Sequence, residues 1–180
     1  MSIKNWGKNG VDQRMNSNKI SEWYYLYNKD IYHFLVYYIG SSDVEDLVQE
    51  VFIRAIKGFD TYQQKASPKT WLISIARHVG IDEMRKRKRQ RMKQMIWFRD
   101  EQLDKETPEE ILQLNENNKL LYQAIQSLKV NYRDVIILRG IKELSVSETA
   151  SVLNWKEDKV RTTYHRALKS LQKTIGGFSQ

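Results

Sequence analysis

Arg161, Thr162, His165, Arg166 and Lys169 carry the side-chain types that read a nucleic acid. Arginine donates bidentately to guanine edges and phosphates, threonine and histidine reach base edges, and lysine neutralises phosphate. At 100° per residue Asp158, Thr162, His165 and Lys169 fall on one side of a helix, with Arg161 and Arg166 flanking them. A second set lies in mid-chain, where Arg85 to Lys93 reads RKRKRQRMK and seven of nine residues are basic. Such a block repels itself unless an anion lies beside it, although a solvated helix end also accepts cations at its negative pole. A third set is KGFDTYQQKAS at 57 to 67, in which Phe59 and Tyr62 stand among Lys57 and Lys65. These aromatics could stack unpaired bases, and they serve equally well tucked into a small core beneath the loop.

Catalytic chemistry is poorly served. His33, His78 and His165 stand far apart in sequence, and there is no cysteine. The H-E-x-x-H, P-loop and G-x-G-x-x-G patterns are absent, so neither an enzyme nor a metal or other cofactor is expected, and no small-molecule substrate.

Stepping from these residues to the whole chain, 180 residues allow one ordinary domain or two small ones. A net charge of +8 makes a polyanion the first partner to consider, nucleic acid ahead of a membrane surface. No run approaches the length of an apolar membrane span, and the first ten residues lack a hydrophobic segment; a cytoplasmic protein is expected. Residues 77 to 99 hold nine Lys or Arg against Asp82 and Glu83, whereas residues 100 to 116 hold seven Asp or Glu against Lys105. That reversal marks a boundary, and 96–115 reads as an acidic linker, with a short helix possible after Thr107 and Pro108.

The elements that position the sets follow from periodicity. Residues 1–16 are polar and read as a disordered N-terminus. A core-facing helix is expected from Asn18 to Ile39 on Ile20, Trp23, Tyr24, Tyr27, Ile31, Phe34, Leu35 and Tyr38. Ser42 and Glu45 form a capping-box spacing ahead of a helix striped by Val44, Leu47, Val48, Val51, Phe52, Ala55 and Ile56. Its outer face shows Asp46, Gln49, Glu50 and Ile53, either a solvated face or a docking surface for a protein. Ser67 and Pro68 start a third helix, with Trp71, Leu72, Ile75, Ala76 and Val79 on its apolar stripe. After the linker, Leu120 to Leu128 and Tyr132 to Leu138 give two further helices. A capping box at Ser145 and Glu148 then opens a short helix, Asn154 to Lys156 form a turn, and Val160, Tyr164, Ala167, Leu168 and Leu171 stripe a last helix. Helix, three-residue turn and helix with a basic outer face favour a helix-turn-helix over a plain hairpin.

In this order the parts resemble the extracytoplasmic-function, or group 4, sigma factors of bacterial RNA polymerase, and most of all the X-type sigma factors of bacilli. The resemblance spans about residues 20 to 175 and rests on three motifs. They are DVEDLVQEVFIRA at 43–55, KTWLISIARHVGIDEMRKRKR at 69–89, and SLKVNYRDVIILRGIKELSVSETA through KVRTTYHRALKSL. It implies an all-α fold of two small helical domains joined by a flexible linker: a sigma-2 bundle at 17–95 and a sigma-4 helix-turn-helix domain at 116–176. It also implies a non-enzymatic promoter-specificity subunit. Asp46, Gln49, Glu50 and Ile53 would dock on the β′ clamp helices of core polymerase, and sigma-4 would rest on the β flap. Phe59, Tyr62, Lys69, Trp71, Ser74, Arg77, His78, Arg85 and Lys86 would face the minus-ten element, where a flipped base is captured; Trp71 fits the core stripe equally well. Arg161, Thr162, His165, Arg166 and Lys169 would face the minus-thirty-five element. An anti-sigma factor, membrane-anchored, and an envelope-stress stimulus are further implications. The chain departs from the family pattern at Lys129, Asn154, Lys156 and Thr163. A stand-alone helix-turn-helix regulator would share the last motif while leaving the loop aromatics and the acidic face unused.

Overall fold

The computed structural model describes residues 6–97 and 116–178. Seven α-helices run through the described residues: α1 (Trp6–Ile39), α2 (Glu45–Gly58), α3 (Pro68–Trp97), α4 (Glu116–Ser127), α5 (Val130–Ile136), α6 (Val146–Leu153) and α7 (Glu157–Phe178). A 3₁₀ turn, Phe59–Thr61, follows α2, and a π turn, Ile137–Ile141, continues α5. The expected linker core at 98–115, with its short helix, lies outside the described residues.

Helices α1, α2 and α3 form the first half. Phe34, Leu35, Val51, Ala55, Leu72 and Ala76 are wholly buried at their meeting surface. Gly80 makes the α1–α3 crossing possible: a Cβ there would lie 2.6 Å from a ring carbon of Tyr38, itself 1% exposed. Helix α3 starts as its sequence predicts, with the Thr70 amide donating to Ser67 Oγ at 3.1 Å and the Trp71 amide to Ser67 O at 3.0 Å.

Three expectations are corrected. α1 begins at Trp6, so the segment read as disordered is helical from residue 6; polar composition there did not oppose a helix that α1 could extend. Ser42 does not cap α2: the N-cap is Val44, with no side-chain cap, and the Ser42 carbonyl instead accepts from the Val44 amide at 2.9 Å. The S-x-x-E spacing placed the cap two residues early because Val44 is needed in the core, where it is 1% exposed. Ile56 is 46% exposed, since the α2 stripe rotates past the core at its last turn.

Helices α4 to α7 form the second half around Ala124, Ile125, Val135, Leu138, Val160 and Ala167. The capping box of α6 is complete, with Glu148 N donating to Ser145 Oγ and Ser145 N to the Glu148 carboxylate. Asn154 ends α6 in the left-handed region at φ 52°, which asparagine tolerates. Buried side chains of both halves belong to one continuous cluster. Arg133 helps to close it, donating to Tyr38 O near the end of α1 and to Gln126 O and Leu128 O at the end of α4. A cation at two helix C-termini answers their partial negative charge.

Candidate nucleic-acid interface

The loop aromatics meet in one cluster. Tyr62 lies 4.9 Å from Trp71 and 5.3 Å from Trp23 between ring centroids, and Phe59 lies 5.5 Å from Trp23. Tyr62 Oη donates to Ala66 O at 2.6 Å and Thr61 Oγ1 to Gly58 O at 2.6 Å, so the 57–67 loop is braced from inside. Phe59, Tyr62 and Trp71 are half-buried and pack on Trp23 and on one another. Beside them opens a cavity of about 440 Å³, with Trp23 and Tyr62 on its wall and Lys19, Gln64 and Lys65 at its edge. Aromatic faces rimmed by ammonium groups suit an unstacked base and its phosphates. Trp23 and Lys19 were missed as site residues because helical spacing assigns α1 aromatics to the core.

Along α3 the expected contacts divide into two groups. His78, Arg85 and Lys86 are exposed, and only long pairs tie the last two, Arg85 to Asp82 at 4.0 Å and Lys86 to Glu83 at 3.8 Å. Ser74 Oγ donates to its own helix at Trp71 O, 2.6 Å. Lys69 and Arg77 are occupied. Lys69 Nζ is 3.0 Å from Asp30, and Arg77 donates to both oxygens of Asp134 at 2.7 and 3.2 Å. Burial alone would lower the Arg77 pKa, but the hydrogen bond to Asp134, the charge of that carboxylate and Tyr38 together outweigh it and hold the guanidinium above its ordinary value.

On α7, Arg161, Thr162, His165, Arg166 and Lys169 are all exposed on the side away from Val160 and Ala167. Arg161 is paired within its own helix, 2.7 Å from Glu157 and 3.1 Å from Asp158. Lys159 Nζ sits 4.0 Å over the Trp155 ring, a cation held at the start of this helix that the sequence reading did not single out.

The outer face of α2 presents Asp46, Gln49 and Ile53 to solvent, Ile53 being 43% exposed. Glu50 is half-buried and accepts from Arg54 at 2.7 Å; Arg54 also reaches Asp82 on α3 at 3.1 Å. On α1 the periodicity did not mark an exposed apolar pair, Tyr25 at 82% and Leu26 at 68% exposed. Periodicity marks only which residues can share a core, and these lie on neither stripe.

A basic helix, an aromatic cavity, a helix-turn-helix and an exposed acidic and amide face on α2 define a class, and comparison with known proteins agrees. The family pattern of sigma-70 region 2 matches residues 23–90 and that of sigma-70 region 4 matches residues 118–171. This chain belongs to the sigma-70 family of RNA polymerase sigma factors, in its extracytoplasmic-function group. It is 42% identical to the ECF RNA polymerase sigma factor SigX of Bacillus subtilis, over 83% of this chain and 80% of that protein. It is 30% identical to the RNA polymerase sigma factor YlaC of the same organism, over 88% and 92%. Its fold is similar to that of the sigma factor RpoE of Bartonella quintana, solved with the anti-sigma factor NepR, with a TM-score of 0.70, 21% identity and 88% and 97% of the two chains covered. As a sigma factor the chain is a non-enzymatic initiation factor that binds core RNA polymerase and directs promoter-specific transcription.

Proposed function

We propose that the residue roles within this initiation factor divide by surface. The exposed face of α2, Asp46, Gln49 and Ile53 with Glu50 beside them, docks on the polymerase β′ clamp helices. The cavity at Tyr62 takes a flipped base of the minus-ten element, with Phe59 and Trp71 bracing it and Ser74, His78, Arg85 and Lys86 following the strand; Lys69 and Arg77 join them once freed from Asp30 and Asp134. The outer face of α7 enters the major groove at the minus-thirty-five element through Arg161, Thr162, His165, Arg166 and Lys169. The observation that carries this reading is the cavity of about 440 Å³, where stacking surface and cations meet beside the basic helix. Base capture requires unstacking worth a few kcal/mol, which stacking on an aromatic wall offsets in part.

The chain works in the cytoplasm, where its polymerase is. Sigma-4 rests on the β flap, and an anti-sigma factor, membrane-anchored, holds the protein until an envelope stress releases it. The structurally similar RpoE was solved with the anti-sigma factor NepR, which supports the anti-sigma part of this reading. The test is size-exclusion with bacterial core polymerase followed by transcription from a mixed promoter library. Co-elution and selective initiation are expected, and Gln49→Lys with Ile53→Glu abolishes both while leaving the melting temperature unchanged. Specific duplex binding without polymerase association would replace this reading with a stand-alone regulator.

A further inference from the structure

Three non-glycine residues among those described have φ in the left-handed region: Gln64 at 54°, Glu143 at 55° and Asn154 at 52°. Two of them end helices, where a left-handed residue closes the last turn. Asn154 is the C-cap of α6, and Glu143 directly follows Lys142, the C-cap of the π turn. Gln64 closes no such turn. It lies in the loop between the 3₁₀ turn Phe59–Thr61 and α3, and no hydrogen bond or ion pair involves its side chain. Glutamine also lacks the short side chain whose local hydrogen bonds let asparagine tolerate this region. Backbone strain that nothing in the local fold repays points to a function for the residue that bears it.

Gln64 borders the cavity beside Tyr62, and the other polar side chains on that lining are already committed or one-sided. The Thr70 hydroxyl gives its proton to Glu148, so in the 2.8 Å pair of Ser67 with Thr70 it is Ser67 that donates; Ser67 Oγ also accepts the Thr70 amide. Tyr62 Oη donates to Ala66 O. Lys19, Lys65 and the indole of Trp23 can only donate. The Gln64 amide alone among these side chains is unpartnered and offers both a donor and an acceptor. Stacking on Tyr62 cannot tell bases apart, since every base has a π face. Discrimination must come from groups that meet the base edge.

We propose that Gln64 is the specificity determinant of this cavity: its left-handed backbone holds the amide at the rim, where it reads the edge of the captured base and admits bases with a ring carbonyl ahead of adenine. This rests on base capture at the cavity. Cytosine, thymine and guanine each set a carbonyl oxygen beside groups that an amide can pair, so the ammoniums of Lys19 and Lys65 and the Gln64 amide are satisfied together. Adenine pairs the amide but has no carbonyl, and it turns an amino group or a C–H toward the ammoniums.

The experiment measures binding of the holoenzyme, the full chain with core polymerase, to a fluorescent single-stranded oligonucleotide carrying the minus-ten sequence of a promoter that it opens. The captured position is the one at which an abasic site weakens binding by the unaltered chain but not by Tyr62→Ala. With each of the four bases placed there in turn, the unaltered chain is expected to bind adenine at least about fivefold more weakly than the best of the others, the worth of one base-edge contact. Gln64→Gly is expected to bind all four alike and, freed of a left-handed side chain, to melt at a higher temperature than the unaltered chain. Gln64→Glu, which can only accept, is expected to move the preference toward bases with an amino group. A Gly variant that keeps the original preference overturns the assignment. So does one that loses the preference while melting at a lower temperature, which would make Gln64 a brace of the loop, and so does adenine bound as well as the other bases. Were no position to respond to Tyr62→Ala in this way, base capture itself would fall, whatever Gln64 does.

Discussion

The Arg77 guanidinium meets both carboxylate oxygens of Asp134, and the two residues lie on opposite halves of the chain. Removing one member of a buried pair costs about 3–5 kcal/mol when the other charge stays buried. Here the stranded Asp134 can reach water if the halves part. Arg77→Ala is therefore expected to increase the radius of gyration in solution scattering, and Arg77→Ala with Asp134→Ala to restore the smaller value. An unchanged radius in the single variant would show that the pair does not hold the halves together.

Acid should loosen the same joint. Burial raises the Asp30 pKa, but its hydrogen bond to Lys69 and the nearby Lys142 hold the carboxyl below the ordinary range. The Ser145 amide does the same for Glu148, against burial and with help from Thr70. A depressed folded pKa means stability that is fully present above the ordinary carboxylate range, about 3.9–4.3, and lost as pH falls through the depressed values. The thermal midpoint should thus be indifferent to these groups between pH 7 and pH 5 and fall below about pH 4. Asp30→Asn with Glu148→Gln should flatten that acid limb; a limb of undiminished slope would remove both carboxylates from the account.

Tyr62 is the wall residue with the least structural duty, since its hydroxyl braces one loop carbonyl while its ring borders the cavity. Tyr62→Ala is expected to weaken capture of the minus-ten strand by about 1–3 kcal/mol, the worth of one stacked base. Permanganate reactivity of the melted promoter would report it. Tyr62→Phe should keep the stacking and lose only the brace. A Phe variant as defective as the Ala variant would make the hydroxyl, not the ring, the functional group.

Most of the helix pattern was legible in the sequence because burial imposes periodicity. The α6 capping box, the turn that begins at Asn154 and the exposed face of α7 all followed from spacing alone. The joint between halves was not legible. Arg77 and Lys69 read as free cations because their partners, Asp134 and Asp30, lie 57 and 39 positions away in sequence, on helices whose docking no local pattern encodes. Thr70 and Ile73, off the expected stripe, are 1% and 0% exposed because α3 is covered on more than one side. The Ser42 cap failed for a related reason: a cap competes with core packing for the same chain, and Val44 in the core decided the start of α2.

Gly80→Ala tests the α1–α3 crossing. Alanine gains about 1 kcal/mol of helix propensity over glycine, so the substitution would stabilise an open helix face. At this position the new Cβ would stand 2.6 Å from Tyr38 Cδ1, and that ring is fully buried and stacked on Phe34 at 5.4 Å. Overpacking of this kind costs about 1–3 kcal/mol. The crossing should win, giving a net loss in urea denaturation that Tyr38→Leu in the same chain partly relieves. A more stable Gly80→Ala chain would mean that α1 and α3 are further apart than described.

The two arginines of α7 are expected to differ. Each is worth about 1–3 kcal/mol if it reads a base edge. Arg161 must first leave Glu157 and Asp158, with its side chain 55% exposed, and exposed pairs of this kind are worth about 0–1 kcal/mol. The net loss from Arg161→Ala should therefore be smaller than that from Arg166→Ala by up to that amount. Changing Glu157 and Asp158 to Gln and Asn should remove the restraint and increase promoter affinity, with the gain abolished by Arg161→Ala. Holoenzyme binding to promoter and to random duplex, each over a range of salt, separates base reading from phosphate contact. Loss confined to the promoter identifies a base contact; equal loss on both, with a shallower salt slope, identifies a phosphate clamp. A gain from the Gln and Asn changes that survives Arg161→Ala would come from reduced negative charge near the DNA and would leave Arg161 without a special role.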